Sequence, residues 1–192
     1  MAGSWVCRLS ASRPAKRGLA VRLGRRQLEL IHTPGHALHH HCIWDPVSRG
    51  WFTGDTFGLS YRELDNDSGE PWIFPTSTPV QFQPEALRAS VQRLLARDPE
   101  AVYLTHFGKL GNPTSLGQSQ LALLDEVVAI GRALRDHPQR HQALIDALGA
   151  LYLKSLHAHG CALSDQAILQ ALALDIELNA QGMGIWLDRE RR

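Results

Sequence analysis

Leu28-Glu-Leu-Ile-His32-Thr-Pro-Gly-His36 is an alternating apolar run that stops at a proline-glycine break and delivers a histidine just beyond it. Two later stretches behave alike. Trp51-Phe-Thr-Gly-Asp55 ends in a carboxylate after a glycine, and Ala101-Val-Tyr-Leu-Thr105-His106 ends in an imidazole. Each run is long enough for one strand, and open α/β sheets gather their ligands beyond the carboxyl ends of the strands. His36, Asp55 and His106 are therefore the candidate site.

The flanking sequence fills in the layer. Leu19 to Leu23 alternates and Gly24 to Gln27 turns it into the Leu28 run, which predicts a hairpin. His40 to Asp45 predicts another strand, followed by a turn over Pro46 to Gly50. Residues 58–84 are rich in Gly, Pro, Ser, Thr and Asp without a sustained period, an irregular connection of the kind that borders sites. At Pro84 the period becomes 3.6, with Leu87, Val91, Leu94 and Leu95 on one helix face until Asp98-Pro99. Strand, helix and strand in succession make an α/β layer. From Ser115 the texture is helical. One helix carries Leu121, Leu124, Val128 and Leu134, and the next carries Leu144, Leu148, Leu151 and Tyr152. Two more are expected, one capped by Ser164 with Ile168, Leu169 and Leu172 inward, the other outlined by Leu178, Gly182, Ile185 and Trp186.

Composition narrows the function. The 192 residues suit one ordinary domain, and 44% hydrophobic with 20% charged residues is globular composition. Twenty Lys/Arg against nineteen Asp/Glu leave a net charge of +1, too weak a field to hold nucleic acid or an anionic membrane. Cys7, Cys42 and Cys161 are odd in number and form no CxxC pair, which points to a reducing cytoplasm. No apolar run reaches the roughly 18 to 20 residues that span a bilayer. The first 28 residues carry seven Lys/Arg and no acid, a bias shared by transit peptides. Its plainer reading is a basic leader, disordered over residues 1–16.

Neutral imidazole and carboxylate are the ligands expected of zinc, iron or manganese, and a carboxylate has two oxygens with which to bridge two ions. Gly35 and Gly54 would let backbone approach a crowded centre. Taken singly, each residue also has a plain structural reading: a hydrogen-bonded core histidine, or a turn carboxylate. No GxSxG elbow and no GxxxxGK[ST] phosphate loop is present.

Together, His32-Thr-Pro-Gly-His36-Ala, Phe52-Thr-Gly-Asp55-Thr-Phe and Leu104-Thr-His106-Phe-Gly resemble, in order, the later metal motifs of the metallo-β-lactamase fold superfamily, which includes glyoxalase II. The resemblance covers about residues 17 to 110. It implies the C-terminal half of an αββα sandwich over 17–114 and a helical extension over 115–192. It also implies that His36 completes a first metal site, Asp55 bridges two metals and His106 binds the second. The implied activity is a divalent-metal hydrolase, most simply with two zinc ions, in which activated water attacks a small thioester, ester, lactone or phosphoester. By the same resemblance His40 stands behind the ligands, and the helical extension helps to bind substrate. Of the other polar neighbours, His32 is expected to hold its loop and Thr56 to orient the Asp55 carboxylate. Tyr61 is expected to pack, or to donate to a substrate oxyanion. Because successive strand residues face opposite sides, His39, His40 and His41 cannot all meet one ion.

The family signature HxHxDH does not occur; His157-Ala-His159 has its first spacing and continues Gly-Cys. The expectation is a chain truncated at its N-terminus, one half of a two-half sandwich. Leaving roughly 600 Å² of apolar sheet uncovered forfeits about 15 kcal/mol at about 25 cal/mol per Å², as much as a domain's whole net stability. Poor folding of the lone chain, or association of copies through the exposed face, follows. The alternative function is a non-catalytic fragment or helical interaction module that retains the motifs. An oxygen-reducing diiron protein of the same fold ranks last, since the tail has no flavin or iron–sulfur motif.

Overall fold

The computed structural model describes residues 19–77, 80–106 and 108–191. The basic leader expected over 1–16 lies outside them. Six strands form one sheet in sequence order: β1 (Leu19–Leu23), β2 (Arg26–His32), β3 (His41–Asp45), β4 (Gly50–Gly54), β5 (Ala101–Leu104) and β6 (Gly108–Leu110). All pairs are antiparallel except β4 with β5, which run parallel. That parallel step needs a crossover, and α1 (Pro84–Leu95) supplies it. In consequence β2, β4 and β5 point the same way, and the residues after each of them meet at one edge.

Cross-strand partners share a face, so the register sorts the sheet into two sides. Ile31, Cys42, Trp44, Trp51, Val102 and Leu110 lie on one, all buried. α1 packs there with Leu87, Val91 and Leu94, and the Trp51 indole N–H donates to the Leu94 carbonyl over 3.0 Å. On the other side Leu19, Leu30, Ile43, Phe52 and Tyr103 stand directly opposite one another across five strands. That row remains accessible: Leu19 is 45% and Phe52 44% exposed, and the Phe52 and Tyr103 rings stack at 4.7 Å. The expectation of a mixed α/β layer with an apolar face left open matches this arrangement.

Three helices follow: α2 (Pro113–Ala133), α3 (Arg140–His159) and α4 (Asp165–Arg189). Leu144, Leu148, Leu151 and Tyr152 are buried, and Ser164 caps α4 by accepting the Ala167 N–H. Two details differ from expectation. The last two predicted helices are one: Asp175 and Glu177 interrupt its apolar stripe without breaking the backbone, and Leu169 is partly exposed. β6 has no counterpart in the sequence pattern, because three residues beginning at a glycine have no period to detect. The buried cluster runs unbroken from Ile31 through the sheet to Leu187, so the helical extension shares the core of the sheet layer. No helix among the described residues is long and apolar enough to cross a membrane.

Candidate metal centre

The strand directions bring His36, Asp55 and His106 together. Asp55 follows a register shift between Phe52 and Gly54, a bulge that re-aims the chain as β4 ends. His36 Nε2 lies 3.6 Å from Asp55 Oδ2, and His106 Nε2 lies 3.8 Å from Asp55 Oδ1. Each imidazole thus faces a different oxygen of one carboxylate. Asp55 Oδ1 is buried and accepts no hydrogen bond, an arrangement that costs free energy unless a cation or water meets it. These donors suit divalent cations. Among the described residues, however, no three His, Cys, Asp or Glu side chains converge as the ligand set of one ion. The two imidazoles face different oxygens of Asp55, so the three side chains are spread over two positions.

Two glycines make the approach possible. Gly35 has φ +135°, and a Cβ there would stand 2.2 Å from the backbone of Leu87 on α1, so the loop carrying His36 lies directly on that helix. Gly54 has φ +51°, and a Cβ would meet the His40 ring at 2.5 Å. The loop is further held by Ser90, whose hydroxyl donates to the Pro34 carbonyl over 2.7 Å, and by His32, whose Nε2 lies 2.7 Å from the Leu38 carbonyl. His32 thereby ties the start of the loop to its far end.

Hydrogen-bond roles place a proton on Nδ1 of two histidines. His36 Nδ1 lies 3.2 Å from the Thr76 carbonyl, which can only accept, so Nδ1 carries a proton and Nε2 is the ring nitrogen that faces Asp55. His40 Nε2 accepts the Asp55 backbone N–H at 3.2 Å, so its proton is on Nδ1, 2.9 Å from the Thr56 hydroxyl. Thr56 in turn donates to the Thr33 carbonyl over 3.3 Å. Burial first, and His36 second, hold the His40 pKa below the ordinary histidine value, in keeping with this neutral ring. Thr56 therefore serves His40 and not the Asp55 carboxylate, a correction to the role expected of it. His39, in the turn before β3, and His41, its first residue, are both exposed, so it is the turn and not strand alternation that separates them from His40.

Tyr61 packs edge-on against Phe74, and its hydroxyl donates to Asp175 Oδ2 over 2.8 Å. Asp175 comes from α4, and its charge interacts favourably with His106. One turn later Asn179, also on α4, accepts the Ser77 N–H over 2.8 Å and donates to the Pro75 carbonyl over 3.2 Å. Sequence reasoning missed both residues. The available signal was a polar pair at i and i+4, with Asn179 on the same helical stripe as Leu172, Ile176 and Met183. His157-Ala-His159 plays no part at the centre: His157 pairs with Asp165 over 2.8 Å and His159 Nε2 lies 2.9 Å from the Glu70 carbonyl.

The chain matches the family model of the metallo-beta-lactamase superfamily over residues 9–106, just over half its length. Among solved structures it is similar to ST1585 from Sulfolobus tokodaii, an archaeal metallo-beta-lactamase superfamily protein, with 20% identity and a TM-score of 0.50, covering 88% of this chain and 50% of that one. It is also similar to the metallo-beta-lactamase family protein TTHA1429 from Thermus thermophilus, with 17% identity and a TM-score of 0.53, covering 84% of this chain and 48% of that one. The chain thus spans about half the length of the solved structures it matches. At such identities the likeness concerns the fold. No curated protein matches.

Proposed function

Because this chain belongs to the metallo-beta-lactamase superfamily, we propose that it carries the Asp55 side of a two-metal hydrolase centre. His36 and Asp55 Oδ2 would hold one divalent cation, and Asp55 Oδ1 and His106 the other, with zinc the first choice and iron or manganese the alternatives. When bound, such a pair lowers the pKa of water toward neutrality and polarises the carbonyl or phosphoryl oxygen under attack. The residues of this chain prepare the site. Asp55 offers one oxygen to each side, Thr76 takes the His36 Nδ1 proton and so leaves Nε2 to face Asp55, and His40 anchors the Asp55 backbone. The substrate is a small thioester, ester, lactone or phosphoester, and the compartment the cytoplasm.

The supporting observation is Asp55 Oδ1, buried without a hydrogen-bond donor and flanked by His106. The test is metal content per chain, by plasma mass spectrometry on untagged protein, beside an Asp55→Ala variant, together with hydrolysis of a thioester and a phosphodiester. Bound metal that is lost on substitution supports the reading. A second reading, a non-catalytic chain that keeps the motifs, is favoured by the absence of a three-ligand group among the described residues. Equal, negligible metal in both proteins and no hydrolysis would select it.

A further inference from the structure

We infer that Asn179 of α4 is a positioning residue for His36, acting through the segment Pro75-Thr76-Ser77, so that the helical extension is built into the candidate metal centre. This rests on the assignment of His36 proposed above. Thr76 is the residue whose carbonyl takes the His36 Nδ1 proton, at 3.2 Å. Its two chain neighbours are both held by one side chain: Asn179 Oδ1 accepts the Ser77 N–H at 2.8 Å, and Asn179 Nδ2 donates to the Pro75 carbonyl at 3.2 Å. The second Nδ2 proton goes to the Tyr152 hydroxyl, at 3.0 Å. Every polar atom of the Asn179 side chain is thereby committed, and the residue is 3% exposed.

An asparagine on the core stripe of a helix costs desolvation that alanine would not. What it does here is orient a carbonyl. Residues 58–77 form an irregular connection, and among the described residues they contain no helix longer than the three-residue 3-10 turn Arg62–Leu64. Without a clamp, the Thr76 carbonyl has no regular ladder to set its direction. In a neutral histidine, a fixed acceptor for the Nδ1 proton favours the tautomer with Nε2 unprotonated and aimed; without that acceptor the ring drifts toward the Nε2–H tautomer, which cannot bind a cation through that atom. The backbone of His36 is set from the other side by α1, through Gly35 and Ser90. The imidazole is thus fixed by two elements far apart in sequence. Asp175, one turn before Asn179, accepts the Tyr61 hydroxyl and lies within electrostatic reach of His106.

The test reads the tautomer of His36 directly, with no metal present. The full chain is labelled with nitrogen-15, stripped with chelator and examined at slightly alkaline pH by long-range proton–nitrogen correlation of its imidazoles, the His36 signals being assigned with His36→Gln. The wild-type chain should show a single Nδ1–H pattern for His36. Asn179→Ala should lose it, giving a mixture or the Nε2–H form, and the near-isosteric Asn179→Asp, which keeps the Ser77 acceptor but not the Pro75 donor, should lose it in part. Tyr152→Phe removes the third Asn179 bond and leaves the clamp, so it should lower stability without moving the His36 pattern. An unchanged His36 pattern in folded Asn179→Ala or Asn179→Asp, or an equal change in Tyr152→Phe, overturns the inference. Cobalt(II) absorption of the wild-type chain is recorded separately: its absence counts against the metal reading alone, and the tautomer result still decides this one.

Discussion

His40 and Gly54 are in direct contact: the space a Cβ on Gly54 would need is filled by the His40 ring, whose Cε1 and Nε2 both lie 2.5 Å from that position. The same ring accepts the Asp55 N–H. Gly54→Ala therefore has two costs, a left-handed φ of about 1–2 kcal/mol for a non-glycine residue and displacement of the ring. His40→Ala leaves the Asp55 N–H and the Thr56 hydroxyl short of a partner, at about 1–3 kcal/mol. The two substitutions should be strongly non-additive, because once His40 is alanine only the φ strain of Gly54→Ala remains. Urea unfolding of the two single variants and the double variant measures the coupling. Simple additivity would mean that the ring and the glycine are independent, contrary to the packing described.

How far the sequence leads is clearest at these residues. The strand ending at His32 is marked by alternation and a Pro-Gly break, the one ending at Gly54 by its glycine, and the one ending at Leu104 by a short apolar run, so the meeting of His36, Asp55 and His106 follows from local pattern plus the rule for strand ends. Thr56 misleads because an adjacent hydroxyl is the natural partner for Asp55 by sequence distance, whereas the bulge turns Thr56 toward His40. Asn179 and Asp175 are illegible for a different reason. Their partners, Ser77 and Tyr61, are 102 and 114 residues away, and no periodicity encodes which face of a late helix meets an irregular loop.

Cys42 should be chemically silent in the folded chain. Burial pushes its thiol pKa up to about 11, against weaker opposing hydrogen bonds from Thr33 and Thr56. At pH 8 only about one molecule in a thousand then carries the reactive thiolate, and the ring of neighbours blocks access as well. Cys161 is partly exposed. Brief treatment with iodoacetamide followed by peptide mapping should label Cys161 and spare Cys42, with Cys42 appearing only in urea. Equal labelling of both in the absence of denaturant would mean that the contacts of Cys42 with Thr33 and Thr53 are not populated.

Asp175 gives a pH dependence with a defined sign. Burial holds its carboxyl pKa above the ordinary aspartate value, outweighing the Tyr61 hydrogen bond and the attraction of His106. The folded chain therefore holds this proton more tightly than the unfolded chain does. The stabilisation this provides is complete below the unfolded pKa and is lost as pH rises through the folded one. Asp175→Asn keeps an acceptor for Tyr61 and has no proton to lose. The difference in urea midpoint between the variant and the wild-type chain should move in favour of the variant as pH rises from the acidic range to neutrality. A difference independent of pH would show that Asp175 is as well solvated folded as unfolded.

The open side of the sheet makes the final prediction. Leu19, Leu30, Ile43, Phe52 and Tyr103 form one row, with Val21 and Leu28 beside it. Five strands about 4.8 Å apart and about 16 Å long give a footprint on the order of 400 Å², the size of the largest apolar patch on a typical monomer, which is often functional. Lys109 on β6 bounds the row beyond Tyr103, and the five apolar members of the row carry no charge, so two copies can meet face to face across them, as sheets do in a sandwich. The chain is accordingly expected to self-associate reversibly, with a sedimentation coefficient that rises with concentration. Phe52→Lys places an ammonium at the centre of the row, where the side chain is already 44% exposed, so folding loses little while pairing would bury two unpaired charges. The variant should sediment as a monomer at concentrations where the wild-type chain does not. A wild-type chain that stays monomeric over the whole range, or association untouched by Phe52→Lys, would remove this face from consideration as the contact.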